Sequence, residues 1–211
     1  MRKGSGQGQR SAPAEAEGEA GQHRIATIWR LLRAMEVAPD NTLPACVKAF
    51  QRGASNDVLA PTEAAGFGIP LEHVVDPLLA AAFRAARTGW QMQPPETETG
   101  SSSVRNQGEL LVLGLLGSLD EPKRVILLLA DMEQLSSPEI AALMGLRLDT
   151  VYEELRKARK TFVRARKRLE RAPATCDAEN EARELLALAR MRFSPDAAAL
   201  YAVSQQLRAR G

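Results

Sequence analysis

The stretch from Glu139 to Arg159, EIAALMGLRLDTVYEELRKAR, limits the possible folds of this chain more than any other. Ser136 and Ser137 precede Pro138, where a hydroxyl can cap free N–H groups and proline gives up no hydrogen bond. Ile140, Leu143 and Met144 then share one helical face at the i, i+3, i+4 spacing. Gly145 can take the left-handed conformation that ends a helix, and Leu146 can pack back under the turn. Asp149 or Thr150 is placed to cap a second helix, with Thr150 and Glu153 at capping-box spacing. Val151, Leu155, Ala158 and Phe162 follow at intervals of four, three and four, which makes one apolar stripe. Two short helices meeting at a tight turn are the helix-turn-helix pattern, whose second helix enters the major groove of DNA.

Charge supports that reading. The formal net charge of the 211-residue chain is only +2, yet from Arg156 to Arg171 nine Lys or Arg stand against one acid, Glu170. Such a run suits a phosphate backbone, which supplies most non-specific affinity and its salt dependence. An Arg-rich helix taken alone is as easily a solvated face; its direct attachment to the turn-helix pattern favours a nucleic acid. Glu153 and Glu154 stand where a DNA reader would carry bases. Glu153 also lies four residues before Lys157, a stabilising helical pair.

With these residues in place, the stretch resembles region 4 of the sigma-70 family of RNA polymerase sigma factors, in particular the small extracytoplasmic-function group. The family pattern is met by Leu119, Pro122, Arg124, the apolar run Val125 to Leu129, Glu139-Ile140-Ala141, Gly145, Thr150-Val151, Leu155 and Ala158-Arg159. The response-regulator helix-turn-helix shares much of this spacing. The resemblance implies a second helix set into a promoter hexamer, with core RNA polymerase and promoter DNA as partners. Carried over by position, the groove-facing set is Arg147, Thr150, Tyr152, Glu153, Glu154, Arg156 and Lys157. Of the DNA-binding residues expected here, Arg147, Thr150 and Tyr152 approach bases or the groove edge, and Arg156, Lys157, Arg159 and Lys160 anchor phosphates. The family usually has Lys at the position of Tyr152, a small polar residue at Glu153 and Arg at Glu154.

The remaining chain reads as helical, with scarce aromatics and no strand-like alternation. Residues 1–22 hold almost nothing to bury and are expected to be disordered. A helix from Gln22 to Val37 would bury Ile25, Ile28, Trp29, Leu32 and Met35. A second would run from Asp40, Asn41 or Thr42 to Gln51 and close at Gly53, with loop over 53–69. A third would open at Asp76-Pro77 and bury Leu78, Leu79, Ala82, Phe83 and Ala86. Trp29 to Arg52 resembles, more loosely, the first two helices of sigma region 2, which grips polymerase and melts DNA. Pro44, Val47 and Lys48 replace that family's acidic, Gln-containing segment, and Phe83 and Trp90 are the candidate aromatics for stacking on bases.

Pro, Gly, Ser and Thr between Gln91 and Gly108 read as a linker. The expectation is therefore an all-α protein of two small helical domains joined by a flexible linker, the C-terminal one a helix-turn-helix. Its divisions are a tail over 1–22, a region 2-like domain over 23–90, a linker over 91–107, a region 4-like domain over 108–171 and a helical extension over 172–211. The extension offers amphipathic helices near Ala178–Met191 and from Ser194 or Pro195 to Arg208. Packing on the last domain, contact with a partner such as an anti-sigma factor, and dimer formation all stay open for it.

No catalytic constellation is found. His23 and His73 lack a carboxylate or thiol at catalytic or zinc spacing, and no nucleophile elbow or phosphate-cradling loop appears. Cys46 and Cys176 lie far apart without metal-ligand spacing, so neither a metal nor a cofactor is expected. No apolar run reaches membrane-spanning length, and no hydrophobic stretch follows Met1-Arg2-Lys3, so no secretory signal is expected. The cytoplasm is the simplest home. Two alternatives to a sigma factor remain: a sigma-like protein-interaction module that no longer initiates transcription, and a helix-turn-helix transcription regulator.

Overall fold

The computed structural model describes residues 18–55, 76–91, 107–170 and 178–209. The expected tail over 1–17, most of the loop before Asp76, the linker over 92–106, His73 and Cys176 lie outside these residues. All regular structure among the described residues is helical. Helix α1 is Glu19–Ala34, α2 Pro39–Ser55, α3 Pro77–Gln91, α4 Gln107–Leu116, α5 Glu121–Leu127, α6 Ser137–Met144, α7 Leu148–Glu170, α8 Ala178–Phe193 and α9 Ala197–Arg208; a π turn, Leu128–Met132, continues α5.

The helix ends follow from local chemistry. α1 begins at Glu19, inside the stretch expected to be disordered, with this acid in its first turn, where the helix dipole favours negative charge. It stops at Ala34 rather than Val37 because Glu36 adopts φ 69°. The Val37 N–H then donates to the Leu32 carbonyl at 3.0 Å and the Glu36 N–H to that of Arg33 at 3.1 Å, which is the Schellman arrangement. Asp120 caps α5 by accepting from the Lys123 N–H at 3.1 Å.

Gly53 was expected to close α2, but the helix runs through it to Ser55. Its missing side chain serves a helix crossing instead. A Cβ there would meet the Ala81 carbonyl carbon and the Ala82 nitrogen, both at 2.9 Å. The backbone of α3 therefore passes directly over Gly53, and Ala80 and Ala82 on α3 are fully buried. Phe83, a candidate for base stacking, is also core at 1% exposure. The Trp90 side chain lies outside the described residues.

Helices α1, α2 and α3 pack together, and α5 to α7 form the helix-turn-helix unit with the π turn. The two halves are in contact. α8 lies against α7, the π turn, α4 and α1, and α9 lies against α1 and α2. α8 inserts Ala182, Leu186, Ala189 and Phe193, all essentially buried and spaced by four, three and four. A single apolar cluster runs from Ile25 through Phe83 and Leu116 to Phe193 and Val203.

One polar contact ties the halves inside that cluster. The π turn brings Glu133 to 5% exposure, its N–H bonded to the Leu128 carbonyl at 3.0 Å. Arg30 of α1 donates to it twice, from Nε at 2.7 Å and from Nη2 at 2.5 Å. Thr27 adds a hydroxyl bond at 3.0 Å. Arg87–Glu121 at 3.0 Å and Arg124–Glu36 at 3.2 Å supply more solvated ties.

Two measurements follow. Removing one partner of a buried, hydrogen-bonded pair leaves an uncompensated charge, so Glu133→Ala should cost about 3–5 kcal/mol in chemical denaturation, and Arg30→Met with Glu133→Leu should recover most of it. Gly→Ala in an open helix would gain about 1 kcal/mol. At Gly53 the α3 backbone reverses the sign, and Gly53→Ala should destabilise by about 1–3 kcal/mol.

Candidate nucleic-acid interface

The turn-helix forms through the caps its sequence provides. Ser136 accepts from the Glu139 N–H at 3.5 Å, and Glu139 accepts from the Ser136 N–H at 2.7 Å, completing a capping box. Gly145 takes φ 66° and the Leu146 N–H returns to the Ala141 carbonyl at 3.0 Å. The second helix starts at Leu148, earlier than expected. The Val151 N–H already bonds to the Arg147 carbonyl at 3.1 Å, so Thr150 lies inside the helix and no capping box with Glu153 forms. Asp149 supplies the polar contact there, accepting from the Thr150 N–H at 2.8 Å. Val151, Leu155, Ala158 and Phe162 are buried as their spacing predicts.

That anchoring decides where the other side chains of α7 point. Tyr152 is 56% exposed, Thr150 is partly exposed, and Arg156, Lys157 and Lys160 are exposed. Arg147 is solvated but bound to Asp149, with Nη2 3.0 Å from Oδ2. This hydrogen bond holds the Asp149 carboxyl below the usual carboxylate range. Lys157 is held in the same way. Its Nζ lies 2.7 Å from Glu154 and 3.7 Å from Glu153, and the Glu154 bond raises its pKa. Glu154 also faces Lys123 of α5 at 3.8 Å, which turns it to the flank of the helix. The N-terminal end of α7 thus neutralises much of its own charge.

Arg159 is placed differently from the expectation. It sits between Leu155 and Phe162 and turns inward to Asp131 of the π turn, with Nε 2.8 Å from Oδ2 and Nη2 2.5 Å from Oδ1. The Asp131 side chain is 1% exposed and that of Arg159 12%. A guanidinium holding a buried carboxylate is a tie between π turn and helix, and it is taken out of the phosphate-facing set. A charge run gives no sign of this; the signal was Asp131 standing in the otherwise apolar run VILLLADM.

The distal half of α7 extends the exposed cations instead. Arg156, Lys160, Arg164 and Arg168 recur every four residues and all are exposed. Among the described residues no carboxylate pairs with them. At 1.5 Å and about 100° per residue they span about 18 Å of the helix and wind about 120° around it. Arg164 and Arg168 were not among the expected site residues, although their spacing of four could have marked them.

With this geometry in view, the comparison with known families is specific. Residues 109–162 match the family model for sigma-70, region 4. The matched segment holds the capped turn and the buried stripe of α7, and it ends before Arg164. No curated protein and no solved structure matches the chain. The segment is thus similar to a DNA-binding, helix-turn-helix part of transcription factors. Among the described residues no helix is long and apolar enough to cross a membrane, and no group of three or more His, Cys, Asp or Glu could hold a metal ion.

The placements separate two kinds of arginine on one helix. Arg159→Ala should destabilise by about 3 kcal/mol or more by leaving Asp131 poorly paired. Arg156→Ala should stay within about 0.5 kcal/mol of the parent, as surface changes do. Thermal unfolding of both variants checks this.

Proposed function

We propose that this chain is a sigma factor of the extracytoplasmic-function type, which binds core RNA polymerase in the cytoplasm and directs it to promoters, with no catalytic residue of its own. The observation that carries the reading is the row of exposed cations on a helix whose first two thirds lie in the region 4 match. Arg156, Lys160, Arg164 and Arg168 would meet phosphates of the duplex. Thr150, Tyr152 and Arg147 would approach the groove edge, and Lys157 would join once released from Glu153 and Glu154. Arg159 sets the pose of α7 from inside. The first three helices would serve as a region 2-like unit. Because Arg147 and Lys157 are held by neighbouring carboxylates, backbone attraction should outweigh base reading, and discrimination between promoters should be modest.

The same self-neutralisation favours one other reading, a sigma-like module that occupies polymerase without starting transcription. Immobilised full-length protein incubated with purified core polymerase, followed by run-off transcription from candidate promoters, separates the two. Retained core with defined transcript starts is the expected result. Retained core without transcripts favours the second reading, and no retained core contradicts both.

A further inference from the structure

A cleft of about 740 Å³ opens between α7 and the π turn with the segment Leu135 to Ser137 that leads into α6, and one residue of α8, Arg183, also lines it. Arg156, Lys160 and Tyr152 line it from α7 and Arg183 from α8, with Asp131 and Arg159 deeper in. Four cations face one carboxylate. That carboxylate is already held by Arg159 at 2.5 Å and is 1% exposed, so the charge offered at the mouth is positive. Arg183 touches the same carboxylate more loosely, with Nε 3.8 Å from Oδ1, and its side chain is 53% exposed. The buried acid therefore lies near one edge of the guanidinium, and about half of the side chain is exposed.

We infer that this cleft is a phosphodiester site to which α8 contributes Arg183, meeting a backbone phosphate next to those met by Arg156 and Lys160. The inference rests on the reading of α7 as the duplex-facing helix and adds a residue that lies beyond the region 4 match. Continuity selects the ligand: Arg156 and Lys160 belong both to the exposed row and to the cleft, so a strand following the row passes its mouth. The guanidinium fork suits phosphate oxygens. A side chain partly ordered by Asp131 loses less freedom when the phosphate arrives.

The test is fluorescence anisotropy of full-length protein on duplexes of unrelated sequence across a salt series, with thermal unfolding of every variant. Arg183→Ala and Arg183→Gln should weaken binding by roughly three- to ten-fold on every sequence and lower the slope of log K against log salt by about 0.9. Arg183→Lys should keep the slope. Gln keeps a polar side chain without the charge, so it reports charge if the Ala variant proves unstable. Unchanged affinity and slope in the Ala and Gln variants, beside a clear loss in Arg156→Ala, would show that α8 only packs and would leave the reading of α7 intact. Weaker binding with an unchanged slope and a lowered melting point would overturn the inference by making the role structural. A parent protein that binds no duplex at low salt would remove the α7 reading and this inference together.

Discussion

Glu133 and Asp131 sit two residues apart at one π turn, both nearly without solvent, and each accepts two bonds from an arginine on another helix. An unpaired carboxylate at such depth would cost several kcal/mol. Arg30 and Arg159 must therefore be in place whenever the turn is folded. The first fixes α1 against the helix-turn-helix unit, and the second fixes the rotation of α7. A π turn suits this, since its wider winding moves side chains out of the ordinary helical register. Here it turns acids inward within an otherwise apolar run.

The fixed rotation of α7 determines what it shows to solvent. With Arg159 turned inward beside the Val151–Phe162 stripe, the four-residue row from Arg156 to Arg168 must face outward. The acids at the start of the helix then lie on its flank and outer side, holding Lys157, while Asp149 holds Arg147. Charge useful for attraction is thus concentrated away from the tip that would read bases. α8, packed against α7, lends the row an arginine from outside the region 4 match. The extension is both a packing element and a neighbour of the candidate interface.

Local rules made the turn-helix legible. The Ser136 cap, the left-handed Gly145 and the stripe of α7 each depend on residues within a turn or two, and all appear where their spacing places them. The all-helical class followed from the same patterns. What could not be read depends on distant partners. Gly53 looks like a helix end until α3 passes over it. Arg159 looks like one more cation until Asp131 is brought beneath it from 28 positions away. Arg30 and Glu133 are separated by 103 positions, and neither carries a local mark of pairing. The contact of α8 with both halves, and of α9 with α1 and α2, is equally tertiary: amphipathic spacing shows that a helix will bury a face, not where.

The account stands on the exposed cationic row being matched to a polyanionic duplex. The most direct check is the affinity of the full chain for a random-sequence duplex as salt is raised. Four phosphate contacts predict a linear fall of log K against log salt with a slope of about −3.6, and a steeper one if Arg183 and others join. Binding that is absent at low salt, or that stays level as salt rises, would contradict it.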